Sequence, residues 1–359
     1  MKRHYRRLTL AAALLALAVP HTPANAQPQR ASQEGLLEEL VVTARKREQN
    51  LQDVAVGVSL LTGKALAEAQ LRNAADLSTL IPTLNVQASS GPATSSFNIR
   101  GIGTQAFSTA VEPSVSTMLD GVVMSNSGMA FLELADIERV EVLRGPQGTL
   151  YGKNASGGVI HIITRDPTPE FSGTVSATAI EDDEYRVNAT FSGPLSDSLG
   201  YRITGSALND DGYAENHFNG NRINSAENYT LRGKLLWTAS DDLELEWSSD
   251  FTDTDCDCNS LSVRAIRESP QQAALLAEQL PVVPADDNQD VNNDQPTFNK
   301  TRASGHSLTL DWVVAEHVLT SISAWREWDY KGIVDLDNRP SNPLALTFNT
   351  PPHNDVEQL

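Results

Sequence analysis

The sequence predicts a mixed α/β domain followed by antiparallel β-strands that span a membrane. Three observations predict it. Aromatic residues crowd the second part: 16 of the 21 Phe, Trp and Tyr lie beyond residue 166, including all five Trp. Long runs there alternate, with Leu243, Leu245, Trp247 and Phe251 separated by Glu244, Glu246, Ser248 and Asp250. One apolar face and charges deep in the other fit lipid outside and a wet lumen inside. The connections between these runs alternate short and long.

Residues 1–26 read as an export signal. Lys2, Arg3, Arg6 and Arg7 make a basic start, and Leu8 to Val19 is an apolar run of 12 residues. Ala24-Asn-Ala26 is a small-x-small cleavage site before Gln27. Twelve apolar residues are too few to span a bilayer as a helix, and no later run is longer, so any span is made of strands. Without the signal the chain has 27 − 4 = 23 basic and 46 acidic residues, a net of −23. Nothing in so acidic a chain would neutralise phosphates, which excludes nucleic acid as a partner.

Residues 27–48 form a polar segment interrupted by Glu38-Glu39-Leu40-Val41-Val42-Thr43-Ala44. Leu40 to Thr43 has high strand propensity in a charged setting and no strand partner of its own in the chain. Position alone leaves two readings: a strand offered to another protein by β-augmentation, or the first strand of the next domain.

Residues 49–166 are expected to form the α/β domain, long enough for one small core. Val54, Val56 and Val58 alternate as a strand. Lys64 to Gln70 is a brief helix, and Asn73 caps a second one that runs to Leu80 before Pro82. Short strands are expected at Leu84–Gln87, Phe97–Ile102, Val115–Leu119, Val140–Leu143 and Val159–Ile163.

Residues 167–359 are expected to supply seven strands, at about 171–181, 185–193, 200–209, 228–238, 243–254, 304–315 and 318–332. After the first hairpin their connections alternate between short turns and long polar loops. That is the pattern of an outer-membrane barrel, with its short turns in the periplasm. Phe171, Phe191, Tyr201 and Trp237 lie near the short-turn side, as an interfacial girdle would. The chain reaches Val-Glu-Gln-Leu359 where an eighth strand would start.

Cysteines occur only at 256 and 258. Two thiolates do not complete a zinc site, so the pair reads as a loop feature, oxidised outside the cytoplasm. The histidines outside the signal are scattered, and none pairs with another at a metal-ligand spacing. Gly101-Ile-Gly-Thr-Gln-Ala106 follows a strand but precedes Pro113 and a Ser/Thr-rich stretch rather than a helix, so it is no dinucleotide site. Gly152-Lys153 has Gln147 where a phosphate loop needs glycine, and Asn154 where it needs Ser or Thr. No metal site, cofactor site or catalytic constellation is expected, and no enzyme.

What remains is Ile137-Glu-Arg-Val-Glu-Val-Leu-Arg144-Gly145-Pro146-Gln-Gly148-Thr-Leu-Tyr151-Gly152-Lys-Asn-Ala-Ser-Gly157-Gly158 and the alternating run after it. Its glycines permit positive φ and close backbone approach. Arg100-Gly101 and Arg144-Gly145 each end an apolar strand, and a charge so placed needs a partner. Together with Leu119-Asp120-Gly121-Val122 and Leu40–Ala44, these stretches closely resemble the TonB-dependent outer-membrane receptors. The resemblance implies a plug domain inside a barrel of about 22 strands. It assigns residues 38–44 as the TonB box and places Arg100 and Arg144 at the plug–barrel wall, paired with barrel carboxylates further along the barrel. On this reading the chain is the plug and the first third of a truncated barrel, monomeric when full length.

The implied function is TonB-driven import of a scarce nutrient across the outer membrane, with a ferric siderophore as the leading ligand. Glycans, haem and cobalamin are the other ligands. A surface-binding barrel without transport, or an inactive fragment, is the alternative class. The implied partners are TonB, an extracellular small ligand and outer-membrane lipid.

Overall fold

The computed structural model describes residues 41–43, 49–87, 92–105, 108, 110–131, 133–180, 183–258, 261–265, 269–341 and 344–358. The export signal with its Ala26–Gln27 junction, and Glu38, Glu39, Leu40 and Ala44, lie outside them.

The N-terminal domain starts with strands β1 (Val41–Val42) and β2 (Gln49–Asn50), paired antiparallel. β3 (Val58–Thr62) leads into helix α1 (Gly63–Glu68), capped by the Thr62 side chain. β4 (Leu84–Gln87), β5 (Ser96–Ile99) and β6 (Ile102–Gly103) make a small antiparallel sheet. β7 (Val115–Leu119), β8 (Val122–Met124), helix α2 (Ser127–Ala130), β9 (Ile137–Arg144), helix α3 (Gly148–Tyr151) and β10 (Gly158–Thr164) follow. The main sheet has the order β3-β9-β10-β7-β8, with β10 and β7 parallel and the other neighbours antiparallel. Both its faces are covered. Val140, Val142, Ile160 and Ile162 pack with Leu77, Leu84 and Ile99 on one side; Leu143 and Val159 pack with Met118 and Tyr151 on the other.

Three local expectations change. The Val54–Val58 run is a strand only from Val58, because Asn50 caps a 3-10 turn at Leu51–Asp53. The helix after Asn73 is a 3-10 segment, Ala74–Thr79, held by a capping box with Asp76. The strand expected across Phe97–Ile102 is a hairpin: Arg100 (φ 54°) and Gly101 (φ 78°) form its two-residue turn.

The second part is one antiparallel sheet of eight strands. They are β11 (Ser172–Ile180), β12 (Glu184–Ser196), β13 (Leu199–Asp210), β16 (Ala226–Ser240), β17 (Leu243–Cys256), β18 (Phe298–Val314), β19 (His317–Asp335) and β20 (Ala345–Gln358). A small hairpin, β14 (Ala214–Asn216) and β15 (Asn221–Ile223), sits in the loop before β16. β11 and β20 are the sheet's edges. β20 corrects the expected count of seven. It begins at Ala345, well before the Val-Glu-Gln-Leu359 end where an eighth strand is expected to start, and Pro351 and Pro352 fall where the register shifts between Trp328 and Tyr330.

The alternation works as expected. Val175, Phe191, Ile203, Leu231, Trp247 and Leu308 are exposed on the outer face, an apolar band for lipid. Trp237 and Trp312 stay exposed near the short turns, as a girdle requires. The inner face holds Thr204, Ser206, Thr230, Arg232 and Lys234, all buried under the N-terminal domain. Trp328 and Tyr330 reach from β19 into that domain's core. No helix among the described residues is long and apolar enough to cross a membrane; strands do the crossing. The long connections pack on one another, with His217 N–H donating to Val291 O (2.9 Å) and Asp294 N–H to Arg339 O (3.1 Å).

Candidate functional site

β1 is not the unpartnered strand expected. Val41 and Val42 pair with Asn50 and Gln49, and the Val42 side chain is fully buried against Met118, Leu143, Tyr151, Ala155 and Val159. A two-residue pairing is too short to show as a pattern in sequence. Next to it, Thr43 donates its backbone N–H (2.8 Å) and hydroxyl (3.1 Å) to Glu141 Oε1. Arg139 Nε donates to the same oxygen at 3.0 Å, and the Tyr151 hydroxyl donates to Thr43 O at 3.1 Å. Burial, helped by the Glu141 charge, pushes the Tyr151 hydroxyl's pKa up, so it stays a neutral donor. Burial opposes the charge on Arg139, but the hydrogen bond and charge of Glu141 outweigh it and raise its pKa. The Glu141 carboxylate is therefore fully buried yet compensated on one oxygen.

The glycine-rich motifs sit at turns that require them. Asp120 (φ 47°) and Gly121 (φ 83°) form the two-residue turn of the β7–β8 hairpin. The Asp120 carboxylate accepts from Thr164 N–H (2.8 Å) and its hydroxyl (2.7 Å), and Gly121 N–H donates to His161 Nε2 (3.1 Å). Gly145 (φ 94°) and Pro146 carry the chain from β9 to α3, and Gly152 (φ 74°) ends that helix after Gly148 and Tyr151. Gly157 N–H donates to Ser114 O at 2.8 Å. A Cβ on Gly158 would lie 2.4 Å from Leu143 O, so only glycine fits against β9 there. Arg144 donates to the carbonyls of Gly57 and Val58, both at 3.3 Å. The Arg100 guanidinium lies beside it, both groups bordering Gly57. Among the described residues neither arginine meets a carboxylate.

Most of the charges that tie the domain to the sheet run the other way, with acids from the domain and cations from the strands; Arg72, paired with Glu184 of β12 at 3.5 Å, is the reverse case. Lys234, nearly buried, has its Nζ 3.7 Å from Asp120, 3.0 Å from Asp166 and 3.2 Å from Glu246. Asp136 accepts from Arg202 Nε and from Thr204 Oγ1, both at 2.6 Å. Glu133 accepts from Ser206, from Asn228 (3.2 Å) and from Thr230 (3.1 Å). Burial alone would raise the Asp120 pKa, but the Lys234 charge and the Thr164 hydrogen bonds hold it below its ordinary value of 3.8.

Residues 50–159 match the family model of the TonB-dependent receptor plug domain. They are a TonB-dependent receptor plug domain. Across 345 residues the chain is 29% identical to the pesticin receptor of Yersinia pestis, covering 94% of this chain and 47% of that protein. It is 31% identical over 210 residues to an iron-regulated outer membrane virulence protein of Vibrio cholerae, covering 54% of this chain and 32% of that protein. The crystal structure of the ferric yersiniabactin uptake receptor from Yersinia pestis superposes with a TM-score of 0.68 at 24% identity, over 81% of this chain and 43% of that one. The chain thus spans at most about half the length of these relatives. They are receptors, not enzymes, and the outer membrane is their place and this protein's.

The structure brings Arg100, Gly101, Arg144 and Gly145 to one end of the plug, near Gly57, and seats Asp120 and Gly121 against the wall. Sequence reading missed Lys234, Arg202, Asp136, Glu133 and Glu141. A signal existed for the strand residues: Arg232 and Lys234 share the polar face with Asp250 and Glu246 across the β16–β17 register. The disulfide between Cys256 and Cys258 closes the end of β17, as a loop feature. Among the described residues no three His, Cys, Asp or Glu side chains gather to hold a metal.

Proposed function

We propose that this protein imports a ferric siderophore across the outer membrane, with TonB pulling on the segment that contains Val41–Thr43. The observation that carries the reading is the way this segment is held. It is paired over only two residues and fixed by one buried side chain and a few hydrogen bonds. Burying one valine contributes about 1.5–3 kcal/mol, and each neutral hydrogen bond about 0.5–1.5 kcal/mol net. The seat is therefore worth a few kcal/mol, within reach of the binding energy of a ligand. Once released, the same backbone groups suit strand addition to a partner. The outer membrane holds no ion gradient, so a plug clamped to its wall needs such a mechanical link to move. The names of the relatives support an iron chelate as cargo. Haem, cobalamin and glycans are the ligands that uptake assays would separate from it. Arg100 and Arg144, side by side on the plug, are suited to pair with carboxylates of the barrel wall.

Val42→Pro tests the coupling. Proline removes the donor that strand addition needs. In the receptor expressed from its own gene, energised uptake of radio-iron siderophore should fall to the level of a TonB-deficient strain, with ligand binding to cells unchanged. Val42→Ala empties the seat but keeps the donor, and should retain uptake. Wild-type uptake by the proline variant would remove the segment from the mechanism.

A further inference from the structure

Two cavities lie between the plug and the wall formed by the first strands. The upper one, about 500 Å³, opens toward the long-loop end beside Arg72, Asp210, Asn228 and the Cys256–Cys258 turn. The lower one, about 560 Å³, runs along β11–β13 toward the short-turn end, down to Ser172 and Arg165. Leu71, Leu134, Ala135, Arg186 and Asn188 line both. The two spaces therefore share a stretch of lining and follow one another along the sheet.

What separates them is the plug segment Glu133–Asp136. It is tethered to the wall at three of its four residues. Glu133 is held by hydroxyls and an amide from β13 and β16. Ala135 O accepts from Arg232 Nη1 at 3.0 Å, and Asp136 is gripped by Arg202 and Thr204. Its other attachment, to the plug itself, includes Leu134 N–H donating to Arg72 O at 2.9 Å. Side chains of the wall hold the bar across the gap, so weakening those contacts favours its displacement and the joining of the chambers.

The lower chamber has a definite chemistry. Ser172, Thr174, Ser176 and Thr178, every second residue of β11, face it with hydroxyls. Arg165, Arg186 and Arg202 border it, three cations against Asp136 and the Glu184 carboxylate paired with Arg186. A surface of hydroxyls with excess positive charge favours a polar anion rich in oxygen, and holds it by hydrogen bonds weak enough to exchange.

We infer that the ligand's path runs down the inner face of β11–β13, that Glu133–Asp136 is its gate, and that the path suits an anionic, oxygen-rich chelate. The inference rests on the import reading and assigns it a route.

Conductance of the purified receptor in planar lipid bilayers, in potassium chloride alone, tests the route. Asp136→Asn, and the double variant Glu133→Gln/Asp136→Asn, should open at least about tenfold more often than wild type, the scale of losing a hydrogen bond between charged groups. Ser125→Ala, which removes a plug contact to Asp355 on the far wall, should stay as closed as wild type. In the open double variant, a bulky thiol reagent on Thr190→Cys should block the current. The same reagent on Ser307→Cys, which borders a separate small cavity at β18, should not. The Asn variants retain size and shape, and a heat-shifted band on gels identifies folded protein. Folded variants that stay closed, or a current blocked from Ser307 and not from Thr190, would overturn the inference. The assay needs neither TonB nor an identified ligand, so its failure is distinct from a failure of energised uptake, which would sink the import reading itself.

Discussion

Lys234→Met should unseat the plug. One buried ammonium sits among Asp120, Asp166 and Glu246. Without it three carboxylates face each other across the plug–wall seam, two of them largely buried. Removing one partner of a buried ion pair costs about 3–5 kcal/mol, because the remaining charge is left uncompensated. The expected results are a lower unfolding temperature of the folded receptor and leak current in lipid bilayers. The pH dependence has a definite sign. The folded pKa of Asp120 is depressed below 3.8. Its contribution to stability is therefore present above its unfolded pKa and lost only as pH falls through the depressed folded value. Wild type should hold its plug from neutrality down to about pH 4. In the methionine variant the Lys234 charge no longer helps hold the Asp120 pKa down, although the Thr164 hydrogen bonds remain, and acidification protonates the facing carboxylates and relieves their repulsion. The gap in unfolding temperature should narrow as pH falls from neutral toward about 4. Equal stability of the two proteins at neutral pH would show that the seam does not depend on this cation.

Gly158→Val should collapse the plug. A Cβ at this position meets Leu143 O at 2.4 Å and Ile99 Cδ1 at 2.6 Å. The carbonyl belongs to the neighbouring strand and cannot yield without breaking the β9–β10 register, which pairs Gly158 with Arg144. The backbone there is also at φ 155°, outside the range a β-branched residue adopts. Overpacking costs about 1–3 kcal/mol and backbone strain about 1–3 kcal/mol more. Set against the 5–15 kcal/mol typical of a whole domain, the sum is a large share. Limited proteolysis should cut the variant's plug while the wild-type plug resists. Gly148→Ala is the contrast, since nothing lies within 4 Å of a Cβ there. A resistant valine variant would mean that β9 and β10 can part at this point.

Much of the fold is legible in the sequence, for reasons that differ by element. Leu119-Asp-Gly-Val122 encodes its turn locally, because Asp and Gly can take the two positive φ values that a two-residue hairpin needs. The wall strands are legible because one face meets lipid and the other meets the plug, which forces strict alternation. The same alternation hid Glu141. Charge following valine in Val140-Glu-Val142 suggests a wet face, yet both faces of β9 are covered and Glu141 is buried beneath Thr43. β20 is hard to read because Pro351 and Pro352 interrupt it, and they are accommodated at a register shift opposite Trp328 and Tyr330. Least legible was the seam. Asp120 meets Lys234, and Asp136 meets Arg202, across separations that no local pattern encodes.

The central claim is that the plug is moved by force delivered to the segment around Val42. The most direct measurement is uptake of radio-iron siderophore by iron-starved cells in which this receptor is the sole route. It should be compared with TonB present, with TonB deleted, and with the proton gradient collapsed. The account predicts accumulation only in the first case, with cell-surface binding equal in all three. Accumulation that survives both TonB deletion and loss of the gradient would contradict it.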